Sequence, residues 1–467
     1  MSKKVYIESY GCQMNHSDSE IVASILAKEG YALSTTPSGA DLVLLNTCSI
    51  REKAEYTVLQ RINEMKHYKQ AKPDLKVGVL GCMAERMRED LLVKKKVVDL
   101  VVGPDAYRSL PSLLDEVEGG QKAVNVLLSR EETYAEIEPV RLDSNGVSAF
   151  VTIMRGCDNM CAFCVVPFTR GRERSREASS IVNECRDLVA KGYKEVTLLG
   201  QNVDSYEWTP REAGAQSAVG SGQLQSPTDF AELLSMVAEV SPALRVRYST
   251  SHPKDMTDKV LEVMARYPNI CNYVHLPVQS GSSEVLKRMN RGYTREWYLD
   301  RIAAIRRHMP DCAISTDIIT GFCGETEEDH QQTLRLLEEV RFDMAFMFKY
   351  SERPKTLAAR KYPDDVPEDV KGRRLQEVIA AVTRTSSEGN QQLVGTEQTV
   401  LIEGVSKRSS EHMYGRSDRY NTVILPKGDL KAGDLVKARI LSATASSLQG
   451  ETLSRIPHPG ADATVPA

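Results

Sequence analysis

Residues 150–164 read FVTIMRGCDNMCAFC. The first five form an apolar run typical of a buried strand, and Cys157, Cys161 and Cys164 follow within eight positions. Three thiolates with no fourth Cys or His in the pattern favour a [4Fe–4S] cluster over a zinc site, which usually has four protein ligands. One iron would then stay open for a small molecule. The alternatives are a structural zinc site and plain core cysteines.

This stretch opens a repeating strand–helix pattern. Helical patterns separate six apolar runs, at 150–154, 196–199, 246–249, 273–276, 313–319 and 344–348. Six such units predict an open, partial (β/α)6 barrel rather than a closed barrel of eight units. Because the cysteines follow the first strand, we expect them at the carboxyl-terminal mouth, where barrel chemistry is found.

The first 120 residues also alternate strands with helices, which predicts an α/β domain with a parallel sheet. The predicted strands are 5–8, 42–45, 77–80 and 98–102, and the predicted helices include 19–28 and 53–68. Ser17–Glu20 fits a capping box that would open the first of these helices.

A second cysteine set, Cys12, Cys48 and Cys82, is scattered along this first domain, and each member ends a strand-like run. In a parallel sheet the carboxyl ends of the strands lie along one edge, so the three thiols are expected in one crevice. Gly11 and Gly81 would let the backbone approach a cluster closely. The alternative is three buried cysteines that pack as small hydrophobic residues.

After a charged helix at 367–391 come short β runs at 398–403, 413–416, 421–425 and 435–441, which predict a small antiparallel β-barrel. Residues 121–147 are interpreted as a linker, 211–228 as a flexible insertion and the chain from Pro457 as a disordered tail. The predicted domains are 1–120, 143–380 and 385–456.

The composition is that of an ordinary globular protein, with 467 residues, 41% hydrophobic residues and a net charge of −4. No signal peptide and no apolar run of membrane-spanning length is visible, which predicts a cytoplasmic protein with no membrane partner. Disulfides are not expected in that compartment. The remaining cysteines share no spacing and are interpreted as core residues: Cys185, Cys271, Cys312 and Cys323.

These motifs resemble a known family. Cys157–Cys164 resembles the CxxxCxxC motif of radical S-adenosylmethionine enzymes, the set of Cys12, Cys48 and Cys82 resembles the amino-terminal domain of methylthiotransferases, and the last domain resembles a TRAM domain, an RNA-binding barrel. Among methylthiotransferases the chain is similar to the MiaB family in six segments: 10–15, 46–54, 155–171, 250–253, 275–282 and 289–291.

Two loops depart from the family pattern. The usual Gly-Phe-Pro-Gly-Glu-Thr has Cys323 in place of proline, and the usual Arg-Pro-Gly-Thr-Pro has Lys355 and Leu357 in place of glycine and the second proline. Both lie away from the predicted cluster ligands in sequence, so they leave the reaction class untouched and put local loop contacts in question.

The resemblance implies an enzyme that converts N6-dimethylallyladenosine at position 37 of tRNA, adjacent to the anticodon, to its 2-methylthio derivative. It implies two [4Fe–4S] clusters and two S-adenosylmethionine molecules per turnover. The cluster on Cys157, Cys161 and Cys164 would bind and cleave S-adenosylmethionine, and the other would carry sulfur. A cofactor is needed because acid–base side chains do not break an unactivated C–H bond, and no side chain is assigned an acid–base role.

Candidate contacts to S-adenosylmethionine are polar or small residues at or near barrel strand ends: Gly200, Gln201, Ser249, Gln279 and Asp317. The alternative for Asp317 is a polar core group, and for Gln201 and Gln279 a turn. Two groups are candidates for RNA contacts, and for both the alternative is a solvated face. The first comprises Arg170, Arg172, Arg174 and Arg176, and the second Lys407, Arg408, Arg416, Arg419 and Tyr420.

The expected partners are a tRNA anticodon stem-loop with a dimethylallylated adenosine and an electron-donor protein such as flavodoxin or ferredoxin. We expect a monomer. Two alternatives remain open at this point: a methylthiotransferase for another modified adenosine or a ribosomal protein, and a non-catalytic iron–sulfur RNA-binding sensor. Two separate three-cysteine sets argue against a sensor, which has little use for two open irons.

Overall fold

The computed structural model describes residues 2–49, 52–142, 145–210 and 227–457. Most of the predicted insertion at 211–228, and the predicted tail beyond Pro457, lie outside the described residues. Within the described ranges, none of the helices combines the length and the apolar character that crossing a bilayer requires.

The first domain is a six-stranded parallel sheet with the order β2-β1-β3-β4-β5-β6. Its strands are β1 (Lys4–Ser9), β2 (Ala32–Leu33), β3 (Leu42–Thr47), β4 (Lys76–Gly81), β5 (Leu100–Val102) and β6 (Ala123–Asn125). Its helices are α1 (Gln13–Lys28), α2 (Glu52–Ala71), α3 (Cys82–Met87), α4 (Glu89–Lys94) and α5 (Leu110–Glu118).

Apolar cores lie on both faces of this sheet. Helices α1 and α5 cover one face, and α2, α3 and α4 cover the other. The predicted parallel sheet is confirmed. The edge strands β2 and β6 were not predicted, because two or three residues carry no readable periodicity. Strand β6 extends the first domain past the predicted limit at residue 120.

Helix α1 begins directly after Cys12, which is its N-cap residue. The capping box predicted at Ser17–Glu20 is therefore wrong, because these residues lie in the middle of the helix. Their polar side chains are buried, and those of Ser17 and Asp18 contact the second domain; for example, Ser17 Oγ lies 2.8 Å from Thr152 Oγ1. The polar residues that suggest a helix start in the sequence therefore contribute to the contact between the domains.

The second domain is the predicted open barrel. Its six principal strands form two parallel sheets, and one isolated bridge between Val246 and Ile270 joins them. The strands are β7 (Ser148–Thr152), β8 (Met154–Arg155), β9 (Arg174–Ser175), β10 (Glu195–Leu199), β11 (Glu207–Trp208), β12 (Thr228–Asp229), β13 (Arg245–Ser249), β14 (Tyr273–His275), β15 (Ala313–Thr320) and β16 (Met344–Lys349). The sheets have the orders β13-β10-β7 and β14-β15-β16, which confirms all six predicted strands.

Helices cover the outer face of this barrel, where most of the chain's largest core lies. The helices of this domain are α6 (Val166–Thr169), α7 (Ala178–Ala190), α8 (Phe230–Ala238), α9 (Asp258–Arg266), α10 (Ser283–Arg288), α11 (Arg295–His308), α12 (Glu327–Val340), α13 (Leu357–Lys361) and α14 (Glu368–Gln392). Two of them lie elsewhere: α6 packs against α3 of the first domain, and the N–H of Ala358 on α13 donates to the carbonyl oxygen of Ala162. The inner face is partly open, and Phe346 on β16 is 40% exposed there. The last helix, α14, is continuous across the predicted limit at residue 380.

The last domain is a closed five-stranded barrel with the order β17-β18-β19-β21-β20. Its strands are β17 (Glu397–Val405), β18 (His412–Ser417), β19 (Thr422–Pro426), β20 (Leu435–Ala443) and β21 (Leu448–Arg455). The predicted β-barrel is confirmed; β21 was missed, because most of its residues are polar and exposed.

This small barrel closes the amino-terminal end of the open barrel. Arg247 on β13 is buried, lies 2.9 Å from the carboxylate of Glu195, and donates to the carbonyl oxygens of Ser417 and Asp418. The ring of Tyr420 stacks on that of Tyr273, with 4.8 Å between centroids. The contact between the two barrels therefore includes the buried Arg247 guanidinium, which has several partners.

We expect Arg247→Ala to lower the free energy of unfolding by roughly 3–5 kcal/mol, the usual cost of breaking a buried ion pair. The substitution leaves Glu195 dependent on Arg245, at 3.3 Å. Urea unfolding measures the change. The matched control is Arg384→Ala, which removes the exposed pair with Glu338 and should cost less than about 1 kcal/mol. Equal losses in the two variants would contradict this account of the interface.

Candidate metal centres and cofactor site

The structure places Cys12, Cys48 and Cys82 at one edge of the first sheet. Cys48 and Cys82 directly follow β3 and β4, and Cys12 follows β1 after a two-residue turn. These three strands are neighbours in the sheet, so their carboxyl ends bring the three thiols together as the spacing predicted. Whether the thiols hold a cluster stays a prediction.

Two glycines make this approach possible. Gly11 has φ +103°, and a Cβ on it would lie 2.9 Å from Cys48 Sγ and even closer to Cys48 Cβ. Gly81 has φ +88°, and a Cβ there would lie 2.6 Å from the carbonyl oxygen of Thr47. Both positions exclude a side chain, because of the backbone angle and because of the neighbouring atoms.

The electrostatic surroundings of this set favour an anionic sulfur at Cys12 but not at Cys82. A hydrogen bond with Cys48 lowers the pKa of the Cys12 thiol to about 6, and the Arg170 guanidinium contributes to this against the effect of burial. Burial raises the pKa of Cys82, and the charge of Arg170 opposes that rise. Arg170 is thus a positive charge beside two of the three thiols.

The second set lies in a loop that several hydrogen bonds anchor to the mouth of the open barrel. Asn159 Nδ2 donates to Asp255 Oδ2 at 3.1 Å, and Asn290 Nδ2 donates to the carbonyl oxygen of Met160 at 2.7 Å. The backbone N–H of Ala162 donates to the carbonyl oxygen of Met289. The loop conformation is thus set by residues far away in sequence.

Arg291 contacts the ligand set itself. It is fully buried, and its Nη1 donates to Cys161 Sγ at 3.1 Å. Burial raises the pKa of Cys157 and of Cys164, each to about 12. A bound cation therefore has to supply the charge that ionises these two sulfurs.

Each set offers three cysteine sulfurs, the ligands that iron–sulfur clusters use. Among the described residues, no three Cys, His, Asp or Glu side chains converge closely enough to hold one metal ion. In a [4Fe–4S] cluster each thiolate binds a different iron, so the hydrogen-bonded thiols of Cys12 and Cys48 would have to separate to hold one. Two sets of three cysteines, one beside a positive charge and one with a donor on sulfur, match that chemistry.

A buried ion network connects the two sets. Arg155 and Arg170, from the second domain, both contact Asp18 on α1 at 2.7 Å. Arg174 lies 2.9 Å from Asp105 in the first domain, and Arg155 lies 3.7 Å from the same carboxylate. In addition, α6, which follows Cys164 closely in the chain, packs against α3, which begins at Cys82.

Three of the predicted S-adenosylmethionine contacts meet at adjoining strand ends. The N–H of Gly200 donates to the carbonyl oxygen of Ser249 at 3.0 Å, which brings the ends of β10 and β13 together. Gln201 Oε1 is buried with no hydrogen-bond partner among the described residues.

The other two candidates lie on the second half of the barrel. Gln279 is buried with φ +76°, and its backbone forms a bridge with β15, which agrees with the turn alternative for its main chain. The Asp317 side chain is 27% exposed and lies 3.6 Å from His275 Nε2. The alternative of a polar core group is therefore not supported for Asp317.

The sequence reasoning missed two buried polar residues at the same mouth. Both ring nitrogens of His252 are buried with no hydrogen-bond partner among the described residues, and burial, together with the charges of Arg291 and Lys254, lowers its pKa to about 2. The carboxylate oxygens of Asp204 are buried, and burial raises its pKa to about 7. His252 lies in segment 250–253, which resembles the family but has no pattern that indicates a binding role. No sequence pattern indicated Asp204.

The prediction of RNA contacts by the first arginine group is wrong for three of its four members. Arg170, Arg174 and Arg176 are buried and form internal ion pairs, the last with Glu184. Only Arg172 is exposed, and it pairs with Asp158. Arg170 and Arg174 thus face the first domain, whereas Arg176 is paired within the second domain.

The second predicted RNA group is also divided. Arg416 lies over the ring of Tyr420, and Arg419 pairs with Asp343 of the open barrel at 2.9 Å, so these three residues belong to the interdomain contact. For them the prediction of an RNA face is wrong. Lys407 and Arg408 are exposed and remain candidates.

The four remaining cysteines are all buried, which confirms their interpretation as core residues. Cys323 lies in a small apolar cluster with Phe322 and Tyr350. Lys355, which stands where the family usually has glycine, has φ +72°, an angle that favours glycine. That departure therefore carries local backbone strain.

Three families match successive parts of the chain. Residues 4–103 match the family described as Uncharacterized protein family UPF0004, residues 151–337 match the Radical SAM superfamily, and residues 391–453 match the TRAM domain. Together they follow the order of the three domains in the structure.

Curated relatives match nearly the whole chain. A tRNA-2-methylthio-N(6)-dimethylallyladenosine synthase of Christiangramia forsetii is 56% identical over 455 residues, which cover 97% of this chain and 94% of the relative. A protein of the same name from Bacteroides thetaiotaomicron is 54% identical over 454 residues, 96% of each chain.

Solved structures share the fold at low sequence identity. The radical S-adenosylmethionine methyltransferase TsrM from Kitasatospora setae superposes with a TM-score of 0.56 at 14% identity, covering 77% of this chain and 75% of that one. The cobalamin-dependent radical enzyme OxsB gives a TM-score of 0.51 at 14% identity, with 77% and 55% covered.

We expect Gly11→Ala to halve the iron content of anaerobically purified protein, from about eight irons to about four, since two four-iron clusters are predicted. The added methyl group would displace Cys48. Iron and sulfide analysis measures the result. Gly30→Ala is the matched control, because Gly30 has φ +83° but no atom within 4 Å of an added Cβ. An unchanged iron content in Gly11→Ala would contradict the predicted site.

We expect Asp204→Asn to stabilise the metal-free protein at pH 8 and to have no effect near pH 3. The folded-state pKa of Asp204 is raised to about 7, so the folded protein holds the proton more tightly and its stability falls as pH rises from about 4 to about 7. Each unit of pKa difference corresponds to about 1.4 kcal/mol. Urea unfolding at the two pH values measures the effect, with the exposed Asp90→Asn as control. A gain of the same size at both pH values would refute this assignment.

Proposed function

Because this chain belongs to the tRNA-2-methylthio-N(6)-dimethylallyladenosine synthase family, we propose that it converts N6-dimethylallyladenosine at position 37 of tRNA to its 2-methylthio derivative. It is a radical S-adenosylmethionine enzyme with a TRAM domain. We propose that it uses two [4Fe–4S] clusters and two S-adenosylmethionine molecules per turnover.

The observation that carries this proposal is the pairing of two three-cysteine sets across one domain interface. The set at the sheet edge of the first domain and the set at the barrel mouth are joined by the packing of α6 on α3 and by the shared contacts of Asp18. A substrate held between them would face both sites, as sulfur transfer to a substrate radical requires.

When bound, the clusters would supply one-electron cleavage of S-adenosylmethionine and an iron that carries sulfur. The chain's own residues prepare these sites. Arg291 fixes Cys161 through the hydrogen bond to its sulfur. Cys157 and Cys161 are each only 8% exposed, so little water reaches this set, and reactive species are better protected.

We assign the S-adenosylmethionine contacts to the polar residues of the barrel mouth. Gly200 offers close backbone approach, and Gln201 with its free Oε1 is a hydrogen-bond acceptor for an amino group. Neutral His252 can donate from one ring nitrogen and accept at the other. The further candidates at the strand ends are Ser249, Gln279 and Asp317.

We place the adenine base in the partly open inner face of the barrel. Phe150 on β7 and Phe346 on β16 are aromatic residues of this face, and each meets a histidine ring edge-on. The partner of Phe150 is His16 of α1, at 5.9 Å, so the first domain contributes to the wall of this space. Aromatic faces suit a base that has left its stack.

The remaining assignments follow from the family and the exposed charges. Lys407 and Arg408, near the end of β17, are candidate phosphate contacts of the anticodon stem-loop. We propose a cytoplasmic monomer that receives electrons from a protein such as flavodoxin or ferredoxin. We also propose that the segments 1–120, 143–380 and 385–456 carry the sulfur-carrying site, the radical site and the RNA contact.

We expect cells that lack this gene to contain dimethylallyladenosine without its methylthio group, as measured by mass spectrometry of tRNA nucleosides. Complementation with the unaltered gene should restore the modification, and Cys48→Ala should not. The matched control is Cys185→Ala, which removes a thiol from a fully buried core position and should restore it. Loss of a methylthio group from a different nucleoside would show that the substrate is another one.

A further inference from the structure

Arg170 is the residue at which the two cysteine sets meet. It lies six positions after Cys164 in the sequence, yet its guanidinium reaches into the site of the first domain. There its charge acts on the thiols of Cys12 and Cys82, and Cys82 lies within hydrogen-bonding reach of the guanidinium.

Only part of this guanidinium is hydrogen bonded to the protein. Its Nη2 donates to Asp18 Oδ2 at 2.7 Å and to Asn15 Oδ1 at 2.9 Å, and that same Asn15 oxygen lies 3.7 Å from Cys12 Sγ. The side chain is 3% exposed. Its Nη1 is buried and has no hydrogen-bond partner in the described part of the chain. Such a donor destabilises a protein unless an acceptor is supplied.

The carboxylates around Arg170 do not balance the arginines. The buried network contains three guanidinium groups but only two carboxylates, so one positive charge faces the sulfurs of this site, among them Cys12, whose pKa is lowered. Its members are Arg155, Arg170, Arg174, Asp18 and Asp105. Of the three arginines, Arg170 has the largest effect on the pKa of Cys12 and of Cys82. An anion bound there would meet both the unpaired donor and the excess charge.

We propose that Arg170 is a positioning residue that holds an anionic sulfur ligand at the site of Cys12, Cys48 and Cys82. Its Nη1–H donates a charge-assisted hydrogen bond to the sulfur of a bound sulfide or small thiolate. This inference rests on the proposed function, which supplies the cluster with one open iron.

The test uses the full chain with the barrel-mouth cysteines replaced, which leaves the first-domain cluster as the only one. This background carries Cys157→Ala, Cys161→Ala and Cys164→Ala, and about four irons are expected in it. Sodium sulfide is titrated in anaerobically, and the optical spectrum of the cluster reports binding. We expect Arg170→Gln to weaken sulfide binding by about tenfold to a hundredfold, the usual effect of losing a hydrogen bond to a charged group.

Two controls separate this role from a purely structural one. Arg155→Gln removes the other arginine partner of Asp18 and should change sulfide affinity by less than about threefold, since Arg155 contacts Asp18 and the carbonyl oxygen of Pro104. Arg174→Gln removes the arginine that pairs with Asp105 and should likewise leave the affinity nearly unchanged. Should Arg170→Gln fail to retain its four irons, Arg170→Lys carries the test, because a lysine has one nitrogen and cannot place donors at the positions of both Nη1 and Nη2.

Equal weakening in Arg155→Gln and Arg170→Gln, or unaltered binding in Arg170→Gln, would overturn the proposal. A triple-cysteine background with no iron at all would instead overturn the proposed function, because the first-domain cluster would then not exist. Spectroscopic affinity, rather than turnover, distinguishes the two outcomes.

Discussion

The carboxylate of Asp18 is fully buried and shared between two arginines of another domain. Burying such a charge is costly unless it is paired and hydrogen bonded, and breaking a buried pair typically costs about 3–5 kcal/mol. Because Asp18 lies on the helix that begins at Cys12, and Arg170 follows the loop with Cys157, Cys161 and Cys164, this contact sets the relation of the two cysteine sets. The interface could not slide without leaving charges unpaired.

The same constraint explains how the chain builds a reaction space from separate domains. Helix α1 supplies both Cys12 and His16, and His16 meets the ring of Phe150 on the inner face of the barrel. The open barrel supplies the cysteine loop and a mouth in which Gln201 Oε1 and the ring nitrogens of His252 have no hydrogen-bond partner among the described residues. Such atoms are costly in the free protein and are compensated when a polar ligand binds.

Arginine has a second structural role at the opposite end of the barrel. Arg247 joins Glu195, the ring of Tyr420 and two carbonyl oxygens of the terminal β-barrel. The terminal β-barrel is thereby held against the amino-terminal end of the open barrel, which leaves the other faces of the small barrel for RNA. Basic residues that suggest a nucleic-acid surface in the sequence thus hold the domains together. The net charge of the chain is −4, so its overall charge does not indicate a nucleic-acid partner either.

The sequence by itself determined where each principal parallel strand ends. It therefore also determined that Cys12, Cys48 and Cys82 share one sheet edge, and that Cys157, Cys161 and Cys164 lie at a barrel mouth. These follow from periodicity and local spacing, which chain chemistry alone dictates. Only the tertiary structure decided what Arg170, Asp18 and His252 do. Their partners lie far away in sequence, and a side chain's burial and charge balance depend on those partners rather than on its neighbours in the chain.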